Sequence, residues 1–158
     1  MKRRPPTLRD KKRYILASLV PCHDETGGKE VYNAVINSAT SLYGDTGTAE
    51  MHPVVVFCEG GYAIIRCVRG TEKDCETAIS LVNGICGKEA ALRPVATSGT
   101  IMSLKSRMKD KKPVKTGLVD INGETFTSYH YPRQKVDLAI EKIKSQELLF
   151  LTEIDLEE

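Results

Sequence analysis

The chain has 158 residues, of which 41% are hydrophobic and 28% charged, with a formal net charge of +2. That length favours one domain able to bury roughly two-thirds of its unfolded surface. The composition excludes a wholly disordered chain, a collagen and a coiled coil, and no run of about 18 apolar residues is present to span a membrane.

Tyr14-Ile15-Leu16 opens a strand over residues 13–20, which Pro21 closes. After a polar loop, residues 29–43 form a helix: Val31, Val35, Ala39 and Leu42 recur at near-helical spacing, and Gly44 stands where a C-terminal cap belongs. Residues 45–48 read as a turn. A continuously apolar strand runs over residues 54–58, and Gly60-Gly61 reverses the chain into a further strand over residues 62–68. Thr71 is the expected N-cap of the next helix, with Asp74 at the capping-box position and Cys75, Ala78, Ile79 and Val82 inward. Residues 90–97 form a fourth strand, which Pro94 confines to an edge. The order strand, helix, strand, strand, helix, strand is the ferredoxin-like α+β arrangement, an antiparallel sheet with two helices on one face.

Residues 101–109 then read as a basic amphipathic helix, with Ile101, Leu104 and Met108 on one face. Asn122-Gly123 sets a type I′ hairpin between residues 118–121 and 124–131. Residues 134–149 read as a helix with Val136, Ala139, Ile140 and Ile143 inward, before an acidic tail from residue 153. The chain divides into a basic arm (1–12), a ferredoxin-like domain with its basic helix (13–112), and a C-terminal hairpin, helix and tail (113–158).

The small net charge is a cancellation. Residues 1–13 hold seven basic groups against one acidic, and residues 88–115 hold eight against two, so each block is +6. Residues 14–87 and 136–158 are each −5. Basic blocks of this density suit polyanions. RNA-recognition domains share this fold and stack bases on their third strand. Here that strand, Gly60-Gly61-Tyr62-Ala63-Ile64-Ile65-Arg66-Cys67, keeps one aromatic of the three expected, so base stacking there is weak. Alternation puts Tyr62, Ile64, Arg66 and Val68 on the face away from the helices. An apolar face of this kind calls for a cover, either the C-terminal elements or a partner protein, with Tyr62 and Ile64 as the protein-contact residues. Ser98-Gly99-Thr100, entering the basic helix, offers backbone N–H groups and hydroxyls to an anion, or simply caps the helix.

Catalytic and metal constellations are not suggested. Cys22 and His23 lack further ligands at metal spacing, and Cys58, Cys67, Cys75 and Cys86 suit core positions, the last two on the inner side of a helix. Five Cys without a Cys-x-x-Cys pair fit reduced thiols in a cytoplasmic protein.

Several segments together resemble the archaeal ribonuclease P protein component 2 family, the counterpart of a eukaryotic ribonuclease P and MRP subunit. They are Pro6-Thr7-Leu8-Arg9-Asp10-Lys11-Lys12-Arg13-Tyr14-Ile15, Leu42-Tyr43-Gly44, Ala63-Ile64-Ile65-Arg66-Cys67 and Val95-Ala96-Thr97-Ser98-Gly99-Thr100-Ile101. The resemblance implies an accessory protein of a ribozyme that removes the 5′ leader of precursor tRNA, not catalytic alone. It implies ribonuclease P RNA, protein component 3 and further ribonuclease P proteins as partners. No cofactor is then held by the protein, and magnesium is used by the RNA. The expected RNA contacts are Arg9, Lys11, Lys12, Arg13, Arg66, Arg93, Ser98, Gly99, Thr100, Lys105, Arg107, Lys109 and Lys112. Residues 113–158 depart from the family pattern and inherit no role. The rival reading is a ferredoxin-like regulatory or protein-interaction domain with no RNA role, motivated by the apolar sheet face.

Overall fold

The computed structural model describes residues 11–21, 26–109, 111–139 and 147–156, the last segment in part by its backbone alone. Strand β1 (Lys12–Val20) leads to helix α1 (Gly28–Met51), a hairpin of β2 (Val54–Glu59) and β3 (Tyr62–Val68), helix α2 (Glu72–Ser80), a two-rung hairpin of β4 (Gly84–Ile85) and β5 (Lys88–Glu89), and β6 (Ala91–Ser98). The main sheet has the order β2-β3-β1-β6, antiparallel throughout, with β6 and its Pro94 at an edge as expected. Alternation along the strands sorts the residues cleanly. Ile15, Ala17, Leu19, Ala63, Ile65 and Cys67 meet Val31, Val35 and Ala39 of α1 and Cys75, Ala78 and Ile79 of α2 in the principal core. Ser38 Oγ donates to Ala78 O at 2.6 Å and ties the two helices together.

Gly44 does break the helical path, at φ 67° and ψ −176°, yet the helix resumes to Met51. The expected turn at residues 45–48 is helical because continuing buries Met51 and lets the Thr48 hydroxyl donate back to Gly44 O at 2.8 Å. His52, in the left-handed region, closes α1 by donating its N–H to Thr48 O. At α2 the expected capping box does not form. Thr71 sits at φ −107°, ψ 15°, outside the extended region a cap needs, and its hydroxyl donates to Val68 O. Cys86 is not on a helix: it shares the β4–β5 turn with Gly87, both at positive φ, and is exposed.

The second side of the main sheet is closed by the chain itself. Helix α3 (Ile101–Lys105), shorter than expected, and the turns after it lay Ile101, Leu104 and Met108 on Leu16, Tyr62 and Ile64. Tyr62 and Ile64 are 7% and 0% exposed, so the expectation that they present a protein-binding face is corrected: the cover is α3.

Beyond residue 114 lies a second sheet, of order β10-β9-β8-β7, from β7 (Lys115–Ile121), β8 (Glu124–Tyr131), β9 (Lys135–Ala139) and β10 (Glu147–Thr152), followed by a 3₁₀ turn over Glu153–Leu156. The Asn122-Gly123 turn has positive φ at both residues, as expected of a type I′ hairpin. The expected helix over residues 134–149 is overturned. Val136 and Leu138, two residues apart, point to one side and pair with His130 and Ser128 of β8, joining Phe126 in a separate small core. Cross-strand partners supplied a burial that a helical stripe could not, and Ile140 and Ile143 lie outside the described residues.

Candidate nucleic-acid interface

The register of the main sheet fixes where each basic residue stands. Directly paired residues share a face, so Val54, Arg66, Tyr14 and Ser98 form one row on the α3 side. Phe57, Ile64, Leu16 and Ala96 form the next, and Glu59, Tyr62, Ser18 and Arg93 the one beyond. Lys12, opposite Val68, begins the same side. The rows from Lys12 to Ser18 cover about 20 Å along β1.

From Ser98 the chain turns back over these rows. Ser98 Oγ accepts from Thr100 N at 3.3 Å, and Thr100 Oγ1 accepts from Ser103 N at 3.4 Å. The hydroxyl oxygens of the Ser98-Gly99-Thr100 turn thus accept from the backbone at the start of α3, which leaves their O–H donors unused by these bonds. Lys105 Nζ lies 4.5 Å from the centre of the Phe57 ring. Lys109 donates its backbone N–H to Tyr62 Oη at 3.2 Å. Lys111 then ends the crossing: its Nζ stands 4.0 Å from the Tyr62 ring centre and donates to Gly61 O at 2.9 Å and to Ser18 Oγ. Lys111 was not among the residues expected from sequence. Its partners are 50 and 93 positions away in the chain, and nothing in the Lys-rich run singles it out.

Arg66 is placed between Tyr14 and Val54, and its Nε is buried with no hydrogen-bond partner, the one such side-chain atom among the described residues. Arg93, Lys105, Arg107, Lys109 and Lys112 are exposed. Lys11 is exposed too, and its carbonyl accepts from Arg69 N. Arg13 stands apart. It is opposite Cys67, on the helix side, with Nε 3.4 Å from Glu72 Oε1 and its guanidinium against Gly99. Both partners of that pair are partly exposed, so it contributes about 1 kcal/mol at most. Arg9 lies outside the described residues. Among the described residues, Arg13 thus faces away from the other basic side chains of the sheet. On the α3 side Lys12 and Arg66 mark one end, Lys105 the middle, and Arg93 and Lys111 the other, a stripe over a covered sheet.

Other chemistry finds little here. Among the described residues no group of three His, Cys, Asp or Glu could hold a metal ion. A reactive cysteine must be a thiolate. The hydrogen bond to Cys67, then burial, push the Cys75 thiol far above its ordinary range, and burial with the charges of Glu30 and Glu59 pushes Cys58 up. Among the described residues no helix is long and apolar enough to cross a membrane.

The sequence model of the Rpp14/Pop5 family matches residues 13–109, β1 through the turns after α3. The ribonuclease P protein component 2 of Methanoculleus marisnigri is 50% identical over 159 aligned residues, covering 100% of this chain and 99% of that protein. That of Methanosphaerula palustris is 43% identical, with the same coverage. That of Pyrococcus furiosus is 36% identical over 105 residues, 65% of this chain and 87% of its own.

Proposed function

We propose, from the premise that the chain belongs to the Rpp14/Pop5 family, that it is a protein subunit of ribonuclease P and serves 5′-leader removal from precursor tRNA. The observation that carries this reading is the 50% identity, end to end, with a ribonuclease P protein component 2. In this reading the chain binds and supports the catalytic RNA, works beside protein component 3 and further ribonuclease P proteins in the cytoplasm, and leaves the magnesium chemistry of cleavage to the RNA.

The α3-side stripe supports a particular mode of binding. Of the rings on this side of the main sheet, Phe57 lies under Lys105 and Tyr62 under Lys111, which leaves half-buried Tyr14 and little surface for base stacking. Cations displayed at intervals above a rigid sheet suit the phosphates of a folded RNA, whose shape rather than sequence is read. Arg66 stands on the same side, half-buried between Tyr14 and Val54, and adds a cation at that end of the stripe. The rival reading, a regulatory domain without RNA, drew on an open apolar sheet face, and α3 occupies that face.

Reconstitution tests the proposal. Catalytic RNA, component 3 and this chain are combined at low magnesium with a precursor tRNA. Cleavage is expected to rise on adding the chain, and the affinity of the chain for the catalytic RNA is expected to fall steeply with salt, by about 0.7 to 0.9 log units per neutralised phosphate for each log unit. Cleavage indifferent to the chain would end the proposal.

A further inference from the structure

The second sheet lies beyond the residues that match the family model, and it has two unlike faces. Phe126, Ser128, Val136 and Leu138 are buried on one. On the other, Thr127, Tyr129 and Tyr131 project from β8, a central strand of the four, with Leu118 beside Thr127 and Lys135 beside Tyr131. Tyr129 and Tyr131 stand about 7 Å apart along the strand and are each half-buried, so part of each is open. Leu118 is 75% exposed. Two aromatics at i and i+2 on the central strand of a four-stranded antiparallel sheet are the arrangement on which single-stranded RNA stacks its bases, and it is the feature the main sheet lacks.

Charge says what this face would take. The Tyr131 end carries exposed Lys112 ahead of β7, and exposed Arg133 and Lys135 at the β8–β9 turn, whereas Lys115, opposite His130, lies on the other face. Of the described acids there, Glu153 Oε1 lies 3.5 Å from His130 Nδ1, and Asp155 accepts from Thr152 N and Oγ1, each at 2.7 Å, and keeps its negative charge. Asp137, opposite Tyr129, is 7% exposed and has its own partner. Asp120 and Glu124 sit at the far end, by the Asn122-Gly123 turn. The face is therefore aromatic in its middle and basic at one end.

We infer that this face of the second sheet is a single-stranded RNA platform, with Tyr129 and Tyr131 stacking two bases and Arg133 and Lys135 holding the flanking phosphates. The inference rests on the chain being an RNA-binding subunit and adds a second surface, chemically unlike the α3 stripe. The stripe takes phosphates of folded RNA; the second sheet takes unpaired bases.

The test uses the full chain and a fluorescein-labelled uridine-rich RNA of about twelve nucleotides, a length within the site sizes of such platforms. Tyr129→Leu with Tyr131→Leu, which keeps apolar bulk without a ring, is expected to weaken strand binding about ten- to a hundredfold, while Tyr129→Phe with Tyr131→Phe stays close to the unmodified chain. A 5-iodouridine strand cross-linked to the unmodified chain is expected to label residues 126–135, a readout that needs no variant to fold. Cross-links confined to residues 11–112, or a Leu pair that binds as tightly as the original, would overturn the inference. Binding to the catalytic RNA is measured alongside. If the unmodified chain fails to bind that RNA, the subunit reading fails; if it binds that RNA but residues 126–135 never meet the strand, the platform alone fails.

Discussion

Lys111 is fixed at three points, the Tyr62 ring, Gly61 O and Ser18 Oγ, and so behaves as a fastener more than as a surface charge. Lys111→Ala is expected to destabilise the fold by about 1–2 kcal/mol, read from urea unfolding, because a partly desolvated cation–π contact and charge-assisted hydrogen bonds are lost together. Arg66 predicts the opposite balance. Its Nε is buried without a partner, so Arg66→Met, which removes that atom, should leave stability unchanged or slightly higher. The same change should lower the slope of log affinity against log salt for the catalytic RNA by close to one phosphate, about 0.7 to 0.9. The cysteines separate by environment. Cys86 is exposed and should be alkylated in the folded protein at neutral pH, whereas buried Cys75, its pKa raised by Cys67 and burial, should react only on unfolding, as peptide mass spectrometry would record.

At the scale of elements, the features legible in the sequence were those with a local cause. Gly60-Gly61 and Asn122-Gly123 supply the left-handed pairs that tight hairpins demand, and both hairpins formed. Val31, Val35 and Ala39 repeat at helical spacing, and all three are buried. The misreadings came from distant partners. Residues 135–139 became a strand because β8 was available to pair with it, and the end of α1 moved to Met51 because the main core had room for it. The candidate site divides in the same way: the basic residues were plain in the sequence, but that α3 seals Tyr62 and Ile64 depends on contacts across the fold. Gly44 has nothing within 4 Å of where a Cβ would stand, so Gly44→Ala isolates backbone strain at φ 67°, ψ −176°, and is expected to lower stability by about 1–3 kcal/mol in thermal unfolding. Leu104→Ala, beneath α3, should cost about 2–5 kcal/mol by the same measurement.

Among the described residues, two hydrophobic clusters flank the main sheet and a third lies within the second sheet, and no hydrophobic residue beyond Met108 packs in the first two. A chain ended after residue 112 is therefore expected to unfold cooperatively and to keep its affinity for the catalytic RNA, while losing the cross-link to an unpaired strand. Circular dichroism and the two binding assays would decide it.

The anchoring of Lys111 has one more consequence, in reach. Only four peptide links separate it from Lys115, where β7 begins, a span of at most about 14 Å. An RNA gripped by the stripe would meet the second sheet at an effective concentration in the millimolar range, as if the two surfaces were one bivalent reagent. Two individually weak grips would then add up to a tight one for an RNA in which a folded part and an unpaired part lie side by side, and lengthening the four-link tether would erode that gain without altering a single contact.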